Sequence, residues 1–265
     1  MRRLAIAAAT ALALVVGPAT TALASTYPSG GVGYDVGYPQ CGGAYPGGAF
    51  GVIGVNGGYP FTYYNSCFAG EWAHALQTPS ASVYINTGYD PSYTAIDGRH
   101  TTLDCAGRAA AVTGAGAQQQ AWAVGCSEAE RSIGWASCQS PASPSPCPTT
   151  IQPAAWWLDV ETANSWCGQP STACSDLTLN EFAIQGIVDT LHDQSASPVG
   201  VYSTASQWTT IVGPVQVTGI TASWVATGMR SAKRARPSCQ GPGFSGAPVW
   251  LVQFVPGAFD ADYVC

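Results

Sequence analysis

Seven short apolar runs, each closed by a polar residue or a glycine turn, constrain this chain more than any other feature. They occupy residues 32–36, 50–56, 82–86, 156–161, 199–202, 222–226 and 249–254. Near-continuous apolar runs of this length read as strands covered on both faces, which is the signature of a parallel sheet. Helical patterns separate the early ones, at residues 68–76, 115–137 and 178–192. The last is the clearest. Thr178 with Glu181 reads as a capping box, and Phe182, Ala183, Gly186, Ile187 and Leu191 share one apolar face. In the helix at 115–137, Glu128, Glu130 and Arg131 are expected on the wet side. Strand and helix in alternation imply βαβ units and an α/β fold. Beyond Tyr202 only residues 205–211 suit a helix, so a barrel built this way is regular early and irregular late. No internal repeat or linker divides the chain, and a single domain is expected.

The fourth run carries the chemistry. Trp156-Trp157-Leu158-Asp159-Val160-Glu161 is apolar first and doubly acidic at its end. On a strand, Asp159 and Glu161 project to one face while Val160 turns away. An ionised carboxylate is costly to bury without partners, so such a pair belongs where water or a ligand reaches it. The other runs also end in hydrogen-bonding groups: Asp35, Asn56, Asn86, Tyr202 and Gln253. In a parallel barrel these ends converge on one mouth. Carboxylates, amides and aromatic faces together suit a sugar, through acid/base work, hydroxyl or acetamido recognition and ring stacking.

Composition narrows the setting. Residues 1–24 read as a secretory signal peptide, with Arg2 and Arg3 ahead of an apolar core and a cleavage site at Ala22-Leu23-Ala24. The domain is then residues 25–265, secreted and without a membrane anchor. Removing the two arginines leaves seven basic against fifteen acidic residues, a net charge of −8, which disfavours nucleic acid as a partner. Ten cysteines in an exported chain imply a disulfide-stabilised fold. Short loops favour Cys138–Cys147 and Cys167–Cys174. Cys239–Cys265, Cys41–Cys67 and Cys105–Cys126 complete the set. No Cys-x-x-Cys pair, His-Glu-x-x-His, Gly-x-Ser-x-Gly elbow or P-loop occurs, and His74, His100 and His192 read as packing or surface residues. Neither a metal nor a cofactor is expected, and the product is expected to be a monomer.

Taken in order, these residues resemble glycoside hydrolase family 25, the lysozyme or muramidase family. Tyr34-Asp35-Val36 with Gln40 is similar to its first strand and loop, and Leu158-Asp159-Val160-Glu161 to its Asp-x-Glu strand. Val201-Tyr202-Ser203, Trp224-Val225-Ala226, Trp250 with Gln253, and Asp260-Ala261-Asp262 are similar to the later strands and closing segment. The resemblance implies an irregular TIM-like barrel, about five β/α units followed by β-rich closure, acting on cell-wall peptidoglycan. It implies Glu161 as general acid, with Asp159, Asp35 and the Asp260/Asp262 segment around the reacting sugar. Gln40, Asn56, Asn86, Tyr202, Trp224 and Gln253 are the expected substrate contacts.

The chain departs from the family pattern in three places. Asn56-Gly57-Gly58 stands where a charged or Thr-Glu-Gly-like element is usual, Gly37-Tyr38-Pro39 replaces a Ser-containing turn, and ten cysteines are unusual. It therefore resembles a divergent, actinobacterial-type branch of glycoside hydrolase-like domains of unknown function. A barrel that binds peptidoglycan or another polysaccharide without cutting it is the alternative. An envelope protein with a merely structural acid pair is a third reading.

Overall fold

The computed structural model describes residues 24–57, 61, 63–93, 100–139, 150–170 and 172–265. The expected signal peptide lies outside them, apart from Ala24. Eight strands close into a barrel in chain order: β1 (Val32–Val36), β2 (Gly51–Gly54), β3 (Ser82–Asn86), β4 (Trp156–Asp159), β5 (Val199–Ser203), β6 (Ala222–Met229), β7 (Val249–Phe254) and β8 (Asp260–Val264). The first seven run parallel, and β8 is antiparallel to both β7 and β1. All seven expected strands form. The helices are α1 (Phe68–Ala75), α2 (Leu103–Ala109), α3 (Gly116–Gln139), α4 (Thr178–Gln194), α5 (Ala205–Ile211) and the single turn α6 (Ala232–Ala235). Among the described residues no helix is long and apolar enough to cross a membrane.

Alternation along β4 explains why its sequence looks continuously apolar. Trp156, Leu158 and Val160 face outward into the layer shared with the helices, whereas Trp157 faces the barrel interior. There Trp157 meets Trp224 and Trp250 edge-on, with ring centroids 5.6 and 6.4 Å apart. Tyr27, in the segment before β1, closes the bottom of the barrel. Its hydroxyl bonds Ser82 Oγ at 2.6 Å and accepts the Trp157 indole N–H at 2.8 Å.

The outer layer rests on α3 and α4, which approach backbone to backbone. A Cβ on Gly125 would lie 1.8 Å from the Ala183 carbonyl oxygen, and one on Gly186 2.1 Å from that of Trp122. Only glycine allows this approach. Two expectations for these helices are corrected. Thr178 is not the N-cap of α4 but its first residue; the Asp176 carboxylate accepts both the Thr178 N–H and its hydroxyl. Glu128 is not on a wet face. It is buried beside the Gly88 backbone, and burial pushes its carboxyl well above the ordinary range.

Four expected disulfides form: Cys41–Cys67, Cys105–Cys126, Cys167–Cys174 and Cys239–Cys265. They tie the β1–β2 connection to the start of α1, α2 to α3, the loop after β4 to itself, and the segment after α6 to the last residue. Each contributes on the order of 2–4 kcal/mol. The Cys138–Cys147 pairing involves residue 147, which lies outside the described residues.

Candidate active site

The C-terminal ends of the parallel strands surround a cavity of about 160 Å³ lined by Asp35, Tyr84, Asp159, Glu161, Tyr202, Trp224, Gln253 and Asp260. These residues come from β1, β3, β4 and the residues just beyond it, β5, β6, β7 and β8. Among the described residues no Lys, Arg or His lines it.

Asp159 and Glu161 share a face of the chain, as the strand geometry requires, and local structure holds their backbone in place. The Thr87 N–H and hydroxyl both donate to the Asp159 carbonyl, at 3.1 and 2.7 Å, and the Trp166 indole donates to the Glu161 carbonyl at 3.0 Å. Asp159 is nearly closed off, 7% exposed, and its Oδ1 has no hydrogen-bond partner among the described residues. Burial, then the charges of Glu161 and Asp35, push its carboxyl well above the usual range. Glu161 is more open. The Gln207 side-chain amide donates to its Oε1 at 3.3 Å, while Gln207 Oε1 accepts the Thr162 N–H at 2.6 Å, which fixes the amide's orientation.

On the opposite side a chain of donors runs toward Asp35. The Tyr202 hydroxyl donates to Gln253 Oε1 at 2.8 Å, and Gln253 Nε2 donates to Asp35 Oδ2 at 3.1 Å. Burial, followed by the charge of Asp260, pushes the Asp35 carboxyl up to about 7. Asp262 lies beneath, fully buried, with Oδ1 accepting the Trp224 indole N–H at 2.7 Å. Burial and the neighbouring Asp35 raise its carboxyl well above the ordinary value. The Tyr202 and Trp224 rings are 4.5 Å apart and form the aromatic wall.

The fold thus unites Asp35, Asp159, Glu161, Tyr202, Trp224, Gln253 and Asp260 around one cavity. It places Asp262 under them as a support rather than a lining group. Three expected contacts are not brought to the cavity. Asn56 commits its side-chain amide to Asn86, donating to the carbonyl at 2.7 Å and accepting the N–H at 2.8 Å, so it staples β2 to β3. Gln40 Oε1 accepts the Gly37 N–H at 3.0 Å and closes a turn. Asn86 contributes its backbone to the staple, and its side chain does not line the cavity.

Tyr84 and Gln207 were missed by the sequence reading. Tyr84 was detectable, because Val83 and Ile85 are the outward residues of β3 and alternation turns Tyr84 inward. Gln207 carries no comparable signal, since it sits on α5 and reaches Glu161 only through the tertiary fold. Among the described residues one group combines metal-ligating types, Cys105, Cys126 and Glu130, but the two sulfurs are bonded to each other. The three histidines lie elsewhere. The His192 ring contacts the Gly219 carbonyl oxygen at 2.8 Å, His74 packs on Tyr45, and His100 stacks on Tyr93.

The sequence matches no protein-family model. It also matches no curated protein sequence. Solved structures give a likeness that these two comparisons do not. A bacterial lysozyme from Streptomyces coelicolor superposes with a TM-score of 0.50 at 15% identity, over 89% of this chain and 92% of the lysozyme. A family GH25 lysozyme from Aspergillus fumigatus gives 0.52 at 15% identity, over 89% and 93%. A muramidase from Acremonium alcalophilum gives 0.50 at 14%, over 88% and 93%. The chain therefore has a distant form of the GH25-type lysozyme fold.

Proposed function

We propose that this chain is a secreted glycoside hydrolase that cleaves β-1,4 linkages of peptidoglycan. The observation that carries the reading is the convergence of four carboxyl groups from β1, the β4 end and β8 on one cavity with an aromatic wall. The likeness in fold to lysozymes and muramidases supports it, although likeness of fold alone does not assign a reaction.

Glu161 is the group best placed to protonate the leaving glycosidic oxygen. It is the more open member of the pair, and Gln207 fixes one of its oxygens. Asp159 sits behind it, where a carboxylate stabilises positive charge developing on the sugar. Asp35 and Asp260 face them across the cavity and suit the hydroxyl or acetamido groups of the same ring. Tyr202 and Trp224 offer a face for stacking. We expect Glu161→Gln to fold normally and to stop clearing a peptidoglycan gel. Clearing at the wild-type rate by that variant would remove Glu161 from the mechanism.

A second reading has its own observation. β2 presents Gly54 to the interior, and Asn56 at its end is committed to Asn86, so the second strand offers no side chain to the cavity. A glycan-binding barrel without catalysis fits that gap. Retention on cell walls with no reducing ends released over long incubation would favour it.

A further inference from the structure

The connection from β1 to β2 departs from the barrel pattern. A regular β/α barrel follows each strand with a helix that covers it. Residues 37–50 hold no α-helix, only the 3₁₀ turn at Tyr38–Gln40. The outer face of β1 and β2 is covered instead by α1 on one side and by the loop at residues 45–48 on the other. Cys41–Cys67 ties this connection to the start of α1. Between the two covers lies a cavity of about 230 Å³, which shares no lining residue with the cavity at the barrel mouth.

The slot follows α1 from Glu71 to Thr78, about 10 Å at 1.5 Å per residue. Gly47, Gly48 and Gln77 are exposed and mark its entrance. Glu71 forms the inner end and is fully buried. Asn65 Nδ2 donates to its Oε2 at 2.6 Å, whereas Oε1 has no hydrogen-bond partner among the described residues. Burial pushes this carboxyl above the ordinary range, against the opposing pull of Asn65. Tyr45 stands close by: burial and the charge of Glu71 raise its ionisation, and its ring packs on His74 with centroids 5.5 Å apart.

No Lys or Arg among the described residues lines the slot, and His74, the one lining group that can turn cationic, has its ring against Tyr45. A buried carboxyl without a counter-charge is costly, and a ligand that brings a positive charge removes that cost. The rest of the wall is apolar or aromatic, with Tyr34, Val36, Phe50 and Ile53.

We propose that this slot binds a primary ammonium group on a short apolar stem. The ammonium donates to Glu71 Oε1 beside the Tyr45 ring, and the stem lies against Tyr34, Val36 and Ile53. Oε1 is shielded from solvent, so binding includes a turn of the carboxyl toward the slot. A cavity of about 150 Å³ holds one benzene ring, so this one suits a stem of about six carbons. The site is independent of the glycosidase reading, because none of its residues belongs to the mouth.

The test is calorimetric titration with n-hexylamine and with 1-hexanol, its neutral counterpart, at pH 7. Glu71→Gln keeps an acceptor for Asn65 and removes the charge, so a melting temperature at or above that of wild type is expected. Wild type should bind the amine at least about tenfold more tightly than the alcohol, and Glu71→Gln should erase that preference. Tyr45→Ala leaves the acid in place and should weaken amine binding about two- to fivefold. Glu161→Gln should leave amine binding unchanged, which separates this slot from the acid-lined mouth. The assignment is overturned if wild type binds no amine, or binds amine and alcohol equally. It is also overturned if the preference survives Glu71→Gln, if Tyr45→Ala binds as wild type does, or if binding is lost in Glu161→Gln.

Discussion

The two ends of the barrel interior are built from the same strands and solve opposite problems. At the bottom, Trp157 packs edge-on against Trp250 and, above it, against Trp224, and its indole donates to Tyr27, whose hydroxyl also bonds Ser82. At the mouth, two residues further along β4, Asp159 has a buried oxygen with no hydrogen-bond partner among the described residues, and it shares the cavity with Glu161, Asp35 and Asp260 and with no described cation. One end minimises exposed apolar surface and unpaired polarity. The other concentrates like charges in a site that burial makes hostile to them. The contrast teaches that stability resides in the lower layer and that the upper layer is maintained at its expense, as expected of a site that acts on a ligand.

The comparison breaks most visibly at the bottom. Trp157→Ala removes a fully buried ring and should destabilise the fold by about 3–5 kcal/mol in denaturant unfolding. A loss below about 1 kcal/mol would mean that the lower layer does not carry the fold.

At the mouth the opposite sign is expected. Asp159→Asn removes a desolvated, crowded acid and should raise the melting temperature at pH 7, while glycan cleavage falls about 100-fold. A variant both less stable and fully active would contradict the division between the two ends.

The pH dependence sharpens the same point. Asp35 ionises near pH 4 when the chain is unfolded and near 7 in the folded protein, so the folded state holds the extra proton between those values. Its contribution is present in full below about pH 4 and is lost as pH rises through about 7. Thermal stability should therefore decline across that window, and Asp35→Asn should flatten the decline. An unchanged pH profile in the variant would place the titrating group elsewhere.

The smallest effect belongs to the plug. Tyr27→Phe keeps the ring and deletes the hydroxyl shared by Trp157 and Ser82, for an expected loss of about 1–2 kcal/mol with activity unchanged. A marked loss of activity would show that the bottom and the mouth are coupled.

Much of this division could be read in the chain, because period-two alternation and apolar runs are local signals. The β4 run announced both its strand and the shared face of Asp159 and Glu161. Closure by β8 was harder, since Asp260-Ala261-Asp262 looks like a loop until pairing with β1 and β7 makes a strand of it. Helix α2 was missed. It is only seven residues long, contains Gly107, and is anchored by a cap on Thr102 and a disulfide to α3 rather than by an apolar face. Asn56 misled because a polar residue at a strand end can serve the neighbouring strand as readily as a ligand. Thr178 misled because Asp176, two residues earlier, competes for the same N–H.

The central claim is that the acid-lined mouth cuts glycan and that Glu161 is its proton donor. Its most direct test is reducing-end release from purified peptidoglycan, wild type against Glu161→Gln, with both proteins shown to be folded. The account predicts steady release by wild type and a loss of about 10²- to 10⁴-fold in the variant, the range for removing a general acid. Equal rates for the two proteins, or no release by wild type beyond a blank, would contradict it.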